Sequence, residues 1–372
     1  MKKIILTLIS FIFLIIISLI TLLSTLGIET NKFNNLISKK INQTNKSINL
    51  KLNTIKFKFD IKEISLFLET NDPFINYRDI AIPAKNIKVY IDFASLIKTD
   101  PKIKKIYLAF NQLNIEQLKK ISVTFKPSNF TSFVNNKIKK GKINAEVEVY
   151  FDKNNLFENF IARGSITNLN AEIVKNITLE KTNFSFFADK SDVILKNINS
   201  QSGPIKIKDG DLKVNLSSEI KLESNFKTNL KYSTKSINYK NLLKNFKFTE
   251  NITSLEAELN NSFFINFDQT YKVKKYNYKT NGKILKANLN FNKPIKNFFL
   301  DKKINQLSLI NSEIETNFSS KKNTTNISGK YALNEEKFLS YNLENIISGE
   351  LINLKLNADY SQPFEVELIN YK

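Results

Sequence analysis

The sequence contains no cysteine, no histidine and no tryptophan. Without cysteine there is no disulfide framework and no thiolate nucleophile, and without histidine there is no imidazole base. Ser-His-Asp and Cys-His catalytic arrangements and Cys/His zinc sites are therefore excluded. These absences favour a protein that binds or supports over one that catalyses. We predict that the chain is not an enzyme and needs no cofactor or metal ion.

Arginine is also scarce, since Arg78 and Arg163 are the only arginines among 56 basic residues. The formal net charge of +21 invites a nucleic-acid partner. Arginine, however, is the residue best suited to reading base edges and narrow minor grooves, and the lysines are scattered along the whole chain. We therefore predict no nucleic-acid partner. The positive charge is still compatible with a general attraction to acidic lipid surfaces.

Glycine and proline are few, with 8 and 7 residues respectively, and no Pro-rich or low-complexity linker divides the chain. Asparagine and aspartate are expected to make most of the turns. Asp209-Gly210-Asp211 begins like a calcium loop but lacks the later ligands that such a loop needs. We interpret it as a hairpin turn of the Asp-Gly kind.

The N-terminus carries the longest uncharged stretch, because Ile4 to Ile28 contain no charged residue. As a helix this stretch would be about 37 Å long at ~1.5 Å per residue, which is enough to cross a hydrocarbon core of ~30 Å. A signal peptide has a shorter apolar region, and Thr25-Leu26-Gly27 is a poor cleavage site. We predict an uncleaved transmembrane anchor over residues 1–28. The body is placed outside the cytoplasm, because long domains translocate largely regardless of charge.

The segment after the anchor has helical periodicity. Phe33, Leu36, Ile37 and Ile41 fall on one side of a helical wheel. This spacing predicts a short amphipathic helix over residues 29–47. Such a helix could cap the first strands or lie at the membrane surface.

From residue 48 onward the apolar residues alternate with polar ones, as in KINAEVEVYF (142–151), and this period of two predicts strands with one dry face. An earlier run of the same kind begins at Ile64. Helical spacing is limited to Ile115–Ile121, Phe130–Ile138 and Tyr239–Phe246. Alternation alone fits a β-sandwich or an elongated, curved sheet whose apolar face forms an open groove.

The order of elements in the first 118 residues resembles that of the AsmA-like family, the bacterial relatives of TamB and of chorein-type bridge-like lipid transfer proteins. A membrane helix is followed by GIETNKFNNLISKKIN (27–42) and then by a strand pair ending in LFLETNDPFINYRDIAIPAKNIKVYIDF (66–93). Ala94 to Ile97 correspond to the short "leucine turn" of that family. Lys102 to Leu108 correspond to its "K-I-x-x-I-x-L" strand. The chain is shorter than the large family members.

The resemblance implies a mainly β protein in which a transmembrane helix and a few short helices accompany an elongated, curved antiparallel β-groove over residues 48–372. It also implies a single-pass protein of the bacterial inner membrane with its body in the periplasm. Phospholipids and other envelope proteins are the implied partners, and lipid transport in support of cell-envelope and outer-membrane biogenesis is the implied role. The residues expected to line the groove are the apolar members of the alternating runs. They are Ile87, Val89, Ile91, Phe93, Ile143, Ala145, Val147, Val149, Phe151, Ile205, Ile207, Leu212, Val214, Leu216, Leu222, Phe226, Leu285, Leu289, Phe291, Leu354 and Leu356.

Two other functions remain compatible with the sequence. A structural or assembly factor for outer-membrane proteins would have the same fold with a closed apolar interior. An envelope-anchored hydrolase or glycan-binding protein would be a β-sandwich and would use clustered carboxylates. The pair Glu146 and Glu148 shares one strand face, and we interpret it as an ordinary solvated face.

Overall fold

The structure is a computed structural model. It describes residues 2–360 except 32–33, 36–37, 40–47, 79, 93–101, 124–128, 155, 175–176, 218, 235–250, 269, 271 and 296–302. Within these residues the chain is mostly β-strand with few helices, as the sequence predicted. Eighteen strands belong to one long antiparallel sheet, and three short strands form a second sheet.

Three helices and 21 strands are described. The helices are α1 (Lys2–Thr25), α2 (Ile115–Val123) and α3 (Asn129–Lys137). The strands before α2 are β1 (Ile28–Thr30), β2 (Ile48–Lys51), β3 (Ile55–Asp60), β4 (Ser65–Asn71), β5 (Phe74–Tyr77), β6 (Ile80–Ile82), β7 (Ala84–Ile91), β8 (Ile103–Phe110) and β9 (Leu113–Asn114). The remaining strands are β10 (Ile138–Phe151), β11 (Phe157–Val174), β12 (Ile177–Asp189), β13 (Asp192–Ser202), β14 (Ile205–Asn215), β15 (Ile220–Ser233), β16 (Ile252–Phe267), β17 (Val273–Ile295), β18 (Ile304–Ser319), β19 (Asn323–Leu333), β20 (Leu339–Ser348) and β21 (Leu351–Ala358).

Helix α1 confirms the predicted apolar helix. Its 22-residue portion Ile4–Thr25 is long and apolar enough to cross a membrane, a property that anchors and signal sequences share. The helix ends at Gly27, whose N–H donates to the carbonyl oxygen of Leu22 at 2.9 Å. Gly27 has a φ of +73°, the left-handed conformation common at helix ends. A Cβ there would lie 2.8 Å from the carbonyl oxygen of Phe57, so the position requires glycine.

The residues after Gly27 differ in part from the predicted amphipathic helix. Residues Ile28–Thr30 form a strand and not the start of a helix, because they pair with Phe57, Lys56 and Ile55 of β3. The described residues 34–35 and 38–39 are helical. Phe33, Leu36, Ile37 and Ile41, which carried the prediction, lie outside the described residues.

The chain divides into two compact units, and the first comprises Met1–Ile166 and Phe186–Lys190. Here β3 pairs with β1 and β4, and antiparallel pairing continues through β7 and β8 to β10. Strands β2, β5 and β6 form the small second sheet.

Helices α2 and α3 confirm two of the predicted helical segments and pack against β10. Helix α2 begins with a capping box. The side-chain oxygen of Asn114 accepts the N–H of Gln117 at 2.9 Å, and the side-chain oxygen of Gln117 accepts the N–H of Asn114 at 3.1 Å. Ile115 and Val134 are buried at this junction. The third predicted segment, Tyr239–Phe246, lies outside the described residues.

The second unit comprises Thr167–Ser185 and Ser191–Lys372. From β13 to β21 each strand pairs antiparallel with the next one along the chain, so this part is a continuous meander. Several strands are long, and β17 has 23 residues. Such regular antiparallel pairing follows from alternating sequences joined by short polar turns.

Candidate functional site

The strand register of the first unit collects the predicted apolar residues on one face. In a sheet, residues directly opposite each other on paired strands point to the same side. Three rows cross β3, β4, β7, β8 and β10 in this way. They are Ile55–Thr70–Ile87–Leu108–Val147, Phe57–Leu68–Val89–Ile106–Val149 and Phe59–Leu66–Ile91–Ile103. Of these residues only Ile55 and Thr70 are buried, and the others are half-buried.

The remaining predicted residues of this unit agree in part with that face. Ile143 pairs with Leu113 of β9, and Ala145 and Phe151 are half-buried on β10. Phe93 lies outside the described residues. Ile64 does not begin β4, as the alternation had suggested. It lies in the turn before that strand with a φ of +47°.

The register of the second unit defines the same kind of face across five to eight strands. Its central rows contain residues that the sequence predicted and others that it did not. They are Ile205–Leu230–Ala257–Ile284–Ser312, Ile207–Thr228–Leu259–Gly282–Ile314–Ile327–Leu343–Leu356 and Leu212–Ser224–Phe263–Tyr278–Phe318–Asn323–Ile347–Ile352. Val214 and Leu222 extend the face at one side, and Leu289 pairs with Leu307 at the other.

Among the described residues of the unit, no other element buries the aliphatic side chains of this apolar face. Among the described residues of the second unit, no valine, leucine, isoleucine or phenylalanine is buried. The buried nonpolar residues there are Ala171, Tyr232, Ala257, Ala287 and Ala332. Two sheets packed face to face would bury their inward aliphatic side chains in a core about 10 Å thick. The described residues of this unit therefore do not form a β-sandwich core.

Strand β21 is the most exposed part of the face. Leu354 and Leu356, both predicted to line the groove, are 62% and 59% exposed, and all eight residues of the strand are exposed. Leu354 pairs with Asn345 and Leu356 with Leu343, so both leucines belong to the apolar face. Leu216, also predicted, follows the end of β14 and is exposed.

Irregular register explains one misplaced prediction on β17. The alternation from Leu285 through Ala287 to Phe291 suggested that all these residues share the apolar face. The pairing with β16 shifts at this point, so that Ala257 pairs with Ile284 and Glu256 with Lys286. Leu285 is the extra residue of this irregularity, and Ile284 takes the place on the apolar face that had been assigned to it.

A second irregularity corrects the turn predicted at Asp209-Gly210-Asp211. These residues lie inside β14, where the register with β15 shifts between Lys208 and Asp211. Asp209 has a φ of +49°, a conformation that aspartate tolerates better than most residues. The segment is a β-bulge and not a hairpin turn.

One group of polar side chains on the apolar face is bonded internally. The side-chain oxygen of Asn261 accepts hydrogen bonds from the Tyr278 hydroxyl at 2.8 Å and the Thr280 hydroxyl at 2.9 Å. Its amide nitrogen donates to the Thr228 hydroxyl at 3.1 Å. Asn261 and Thr280 are buried. These groups therefore satisfy one another without requiring water, as polar groups on a water-poor surface must.

The same pattern recurs elsewhere on this face. The hydroxyls of Thr182 and Ser200 are 2.7 Å apart, and both residues are buried. The Tyr341 hydroxyl donates to Ser312 at 2.9 Å. No sequence signal marked these residues, because serine and threonine in a strand are equally common on a solvated face.

The opposite face of the first unit carries a network of charged and aromatic side chains. The buried Lys105 forms ion pairs with Glu63 and, at 3.9 Å, with Glu148, and its ammonium lies 4.4 Å from the centre of the Tyr90 ring. Burial raises the pKa of Tyr150 to about 12, with a further contribution from its hydrogen bond to Glu148. This network fixes the β3–β4 turn, which contributes Glu63, onto the polar face.

The carboxylate pair Glu146 and Glu148 belongs to this network and is not simply a solvated face. Arg163 bonds Glu146 at 3.2 Å and Glu148 at 3.3 Å. The hydrogen bond to Glu146, together with both carboxylates, raises the pKa of the Arg163 guanidinium above its usual value. Both carboxylates are thus ion-paired with one guanidinium.

Each unit has an open hollow on the polar face of its described strands. The hollow of the first unit has a volume of about 940 Å³, and Lys88, Tyr107, Glu146 and Arg163 are among its lining residues. The hollow of the second unit has a volume of about 620 Å³ and a lining that includes Lys227, Glu258, Lys283 and Glu313. Such charged linings do not suit acyl chains, so these hollows are distinct from the uncovered apolar face.

Comparison of this chain with protein-family models, with curated proteins and with solved structures gave no match. The features of the molecule that bear on its function are the membrane-spanning-like helix, the apolar face and the polar network.

Proposed function

We propose that this protein is a membrane-anchored lipid-handling protein that holds phospholipid acyl chains on the apolar face of its sheet. The observation that carries the proposal is the absence of buried valine, leucine, isoleucine and phenylalanine among the described residues of the second unit. An apolar surface of this extent on a soluble protein marks a site for an apolar partner.

The chemistry of the face suits acyl chains in particular. Covering it with hydrocarbon would gain about 0.8 kcal/mol for each buried CH₂ group. The polar groups of Asn261, Tyr278 and Thr280 are already bonded to one another, so they do not oppose an apolar ligand. Because aliphatic and aromatic contacts are not directional, an acyl chain could shift along the face without breaking specific bonds.

The cellular setting is proposed from helix α1 and from the resemblance of residues 1–118. We place α1 in the bacterial inner membrane and the sheet in the periplasm, in support of envelope and outer-membrane biogenesis. The resemblance extends to elements that the structure describes, since Lys102–Leu108 corresponds to most of β8. The "leucine turn" at Ala94–Ile97 lies outside the described residues.

An assembly factor with a closed interior is the main alternative. Such a protein would bury its inward aliphatic side chains as a domain core does. Leu222, Leu259 and Phe263 are each partly exposed and not buried, which supports an open face instead.

Photo-crosslinking from two adjacent positions of β15 tests the proposal. Leu222 pairs with Val214 and Ile265 on the apolar face, whereas Glu223 points to the polar face. A photoreactive phenylalanine derivative would replace Leu222 or, as the matched control, Glu223 in the full chain in cells. We expect mass spectrometry to find phospholipid adducts at position 222 and not at 223. Equal adduct yields, or protein adducts alone at position 222, would contradict acyl-chain binding.

A further inference from the structure

The strand register places the β3–β4 turn beside the end of helix α1. Strand β1 leads away from the helix, and β3 runs antiparallel to it, with Ile28 opposite Phe57 and Thr30 opposite Ile55. Strand β3 then continues for three residues beyond Phe57 to Asp60, which is a distance of about 10 Å. The turn of residues 61–64 therefore points back toward the membrane end of the chain.

The burial of α1 supports this placement. Most of the helix is exposed, but Ile20, Leu23, Ser24 and Gly27 are partly covered. Their spacing of three, four and seven residues defines one helical face. Strand β3 is the element that contacts α1, and a Cβ at Gly27 would lie 2.8 Å from the side chain of Lys58. The end of β3 thus lies against the last two turns of the helix.

The length of helix α1 indicates how deep in a membrane its contact with β3 would lie. The 22-residue segment Ile4–Thr25 is about 33 Å long at ~1.5 Å per residue, close to the ~30 Å of a hydrocarbon core. Leu23 lies within that segment, only two residues from its end. Any part of the body that covers Ile20 and Leu23 must therefore reach the boundary between lipid headgroups and acyl chains.

The turn itself presents apolar side chains at this level. Ile61 is 62% exposed and Ile64 is 77% exposed, with the exposed Lys62 between them. The turn is ordered by Asp60, whose carboxylate accepts the N–H groups of Lys62 at 3.0 Å and Glu63 at 3.2 Å. Its shape therefore does not depend on burying either isoleucine.

Ile64 is an unusual residue for its backbone conformation. Its φ of +47° lies in the left-handed region, where glycine and asparagine are common and β-branched residues are outliers. Strained positions of this kind are associated with functional surfaces. An isoleucine that is both strained and exposed contributes little to the folded unit by its own packing.

We propose that Ile61 and Ile64 insert into the lipid bilayer beside α1 and form a second point of membrane contact, with Lys62 at the level of the anionic headgroups. Ile61 and Ile64 flank Lys62 and Glu63, and Glu63 is ion-paired with Lys105. The two exposed isoleucines and Lys62 match the apolar and charged layers of this boundary. The proposal rests on α1 being a retained membrane anchor, as proposed above. It does not require acyl chains on the sheet.

Site-specific fluorescence in vesicles tests this contact. Because the chain has no cysteine, a single engineered cysteine accepts an environment-sensitive dye at one known position. The full chain would carry Ile64→Cys, Ile61→Cys, Leu22→Cys within the helix, or Asp72→Cys. The Asp72 site is a matched control, since this exposed residue has a φ of +45° at the other end of β4. The vesicles would contain phosphatidylethanolamine and phosphatidylglycerol.

We expect the dyes at positions 61, 64 and 22 to emit at shorter wavelength and to be quenched by nitroxide-bearing phospholipids. The dye at position 72 should be quenched by aqueous iodide with a several-fold larger quenching constant. If position 22 is in lipid while positions 61 and 64 respond like position 72, the second contact is wrong and the anchor stands. If position 22 is in water, the anchor is wrong and the second contact is overturned with it.

Discussion

The hydroxyl of Tyr278 on β17 donates to the side-chain oxygen of Asn261 on β16, at 2.8 Å, on a face rich in leucine, isoleucine and phenylalanine. Asn261 is buried in spite of its polarity, and its amide is bonded on both sides. In this pair, two polar side chains on neighbouring strands of the apolar face satisfy each other's hydrogen bonding.

Replacing these two residues should have unequal effects. Tyr278→Phe removes one of two donors to Asn261 and should lower the free energy of unfolding by about 1 kcal/mol. Asn261→Leu leaves the hydroxyls of Tyr278, Thr280 and Thr228 without their partner and should cost about 2–3 kcal/mol. Thermal unfolding of the full chain in detergent measures both, with the exposed Asn260→Ala as a control. An Asn261→Leu variant as stable as the parent would contradict this account of the cluster.

Gly329 should not tolerate alanine, because its neighbour strand approaches too closely. A Cβ at this position would lie 2.6 Å from the Cα and 2.7 Å from the Cβ of Ser312, which is fully buried. Relieving this overlap requires a backbone shift and should cost about 1–3 kcal/mol in unfolding free energy. Gly349→Ala is the comparison, since nothing lies within 4 Å of its Cβ and only its φ of +61° opposes the change. Equal losses at the two positions would show that the Ser312 contact is not the cause.

Glu69 should make the first unit sensitive to acid. Burial alone would raise the pKa of its carboxyl, but hydrogen bonds from Lys58 and Asn86 and the charges of Lys58 and Lys88 lower it below 4.5. A lowered pKa in the folded state stabilises the fold above the unfolded value, and this contribution is lost as the pH falls through the folded pKa.

Unfolding measured between neutral pH and acid should therefore show a steeper loss of stability below about pH 4.5 in the parent than in Glu69→Gln. The variant should be less stable at neutral pH, and the difference should shrink on acidification. Glu315→Gln, at an exposed position of the second unit, serves as the control. If the parent and Glu69→Gln lose stability equally steeply as the pH falls, the proposed linkage is excluded.

Ile64→Asn should stabilise the fold while removing the apolar side chain. Asparagine tolerates the left-handed conformation, whereas isoleucine at a φ of +47° is strained by about 1–2 kcal/mol. We expect a higher midpoint of thermal unfolding for the variant in detergent, with Ile61→Asn, at a position without this φ, as the comparison. A midpoint lowered by Ile64→Asn would indicate that the isoleucine packs within the fold.

The alternation of apolar and polar residues predicted the fold class and the composition of each face. It succeeds where pairing is regular, as at Val147 opposite Leu108 and Leu222 opposite Val214, because a period of two then carries across neighbouring strands. Helices α2 and α3 were predicted by the same reasoning with a longer period, and the N-terminal helix from the length of its uncharged stretch. The uncovered state of the face could not be predicted, since an alternating strand has the same sequence in a sandwich and in an open sheet.

Two of the errors, at Leu285 and at Asp209–Asp211, fall at bulges. Asp209, Asn197 and Asn311 have positive φ values inside strands, at or beside shifts of register. Asparagine and aspartate were expected at turns, and nothing local distinguishes a turn from a bulge for these residues. Beyond a bulge, the residues that point to one face of the strand change from odd to even positions, or the reverse. For this reason Ile284 was missed and Leu285 was misassigned.

The junction between α1 and the sheet consists only of Leu26 and Gly27, and β1 pairs with β3 immediately after it. A joint of two residues, one of them packed against Lys58, restricts rotation of the first strands relative to α1. Any tilt of α1 would therefore change the orientation of the first strands as well. Lengthening this joint with a flexible insert would uncouple α1 from the first strands, and the angle between them would then vary.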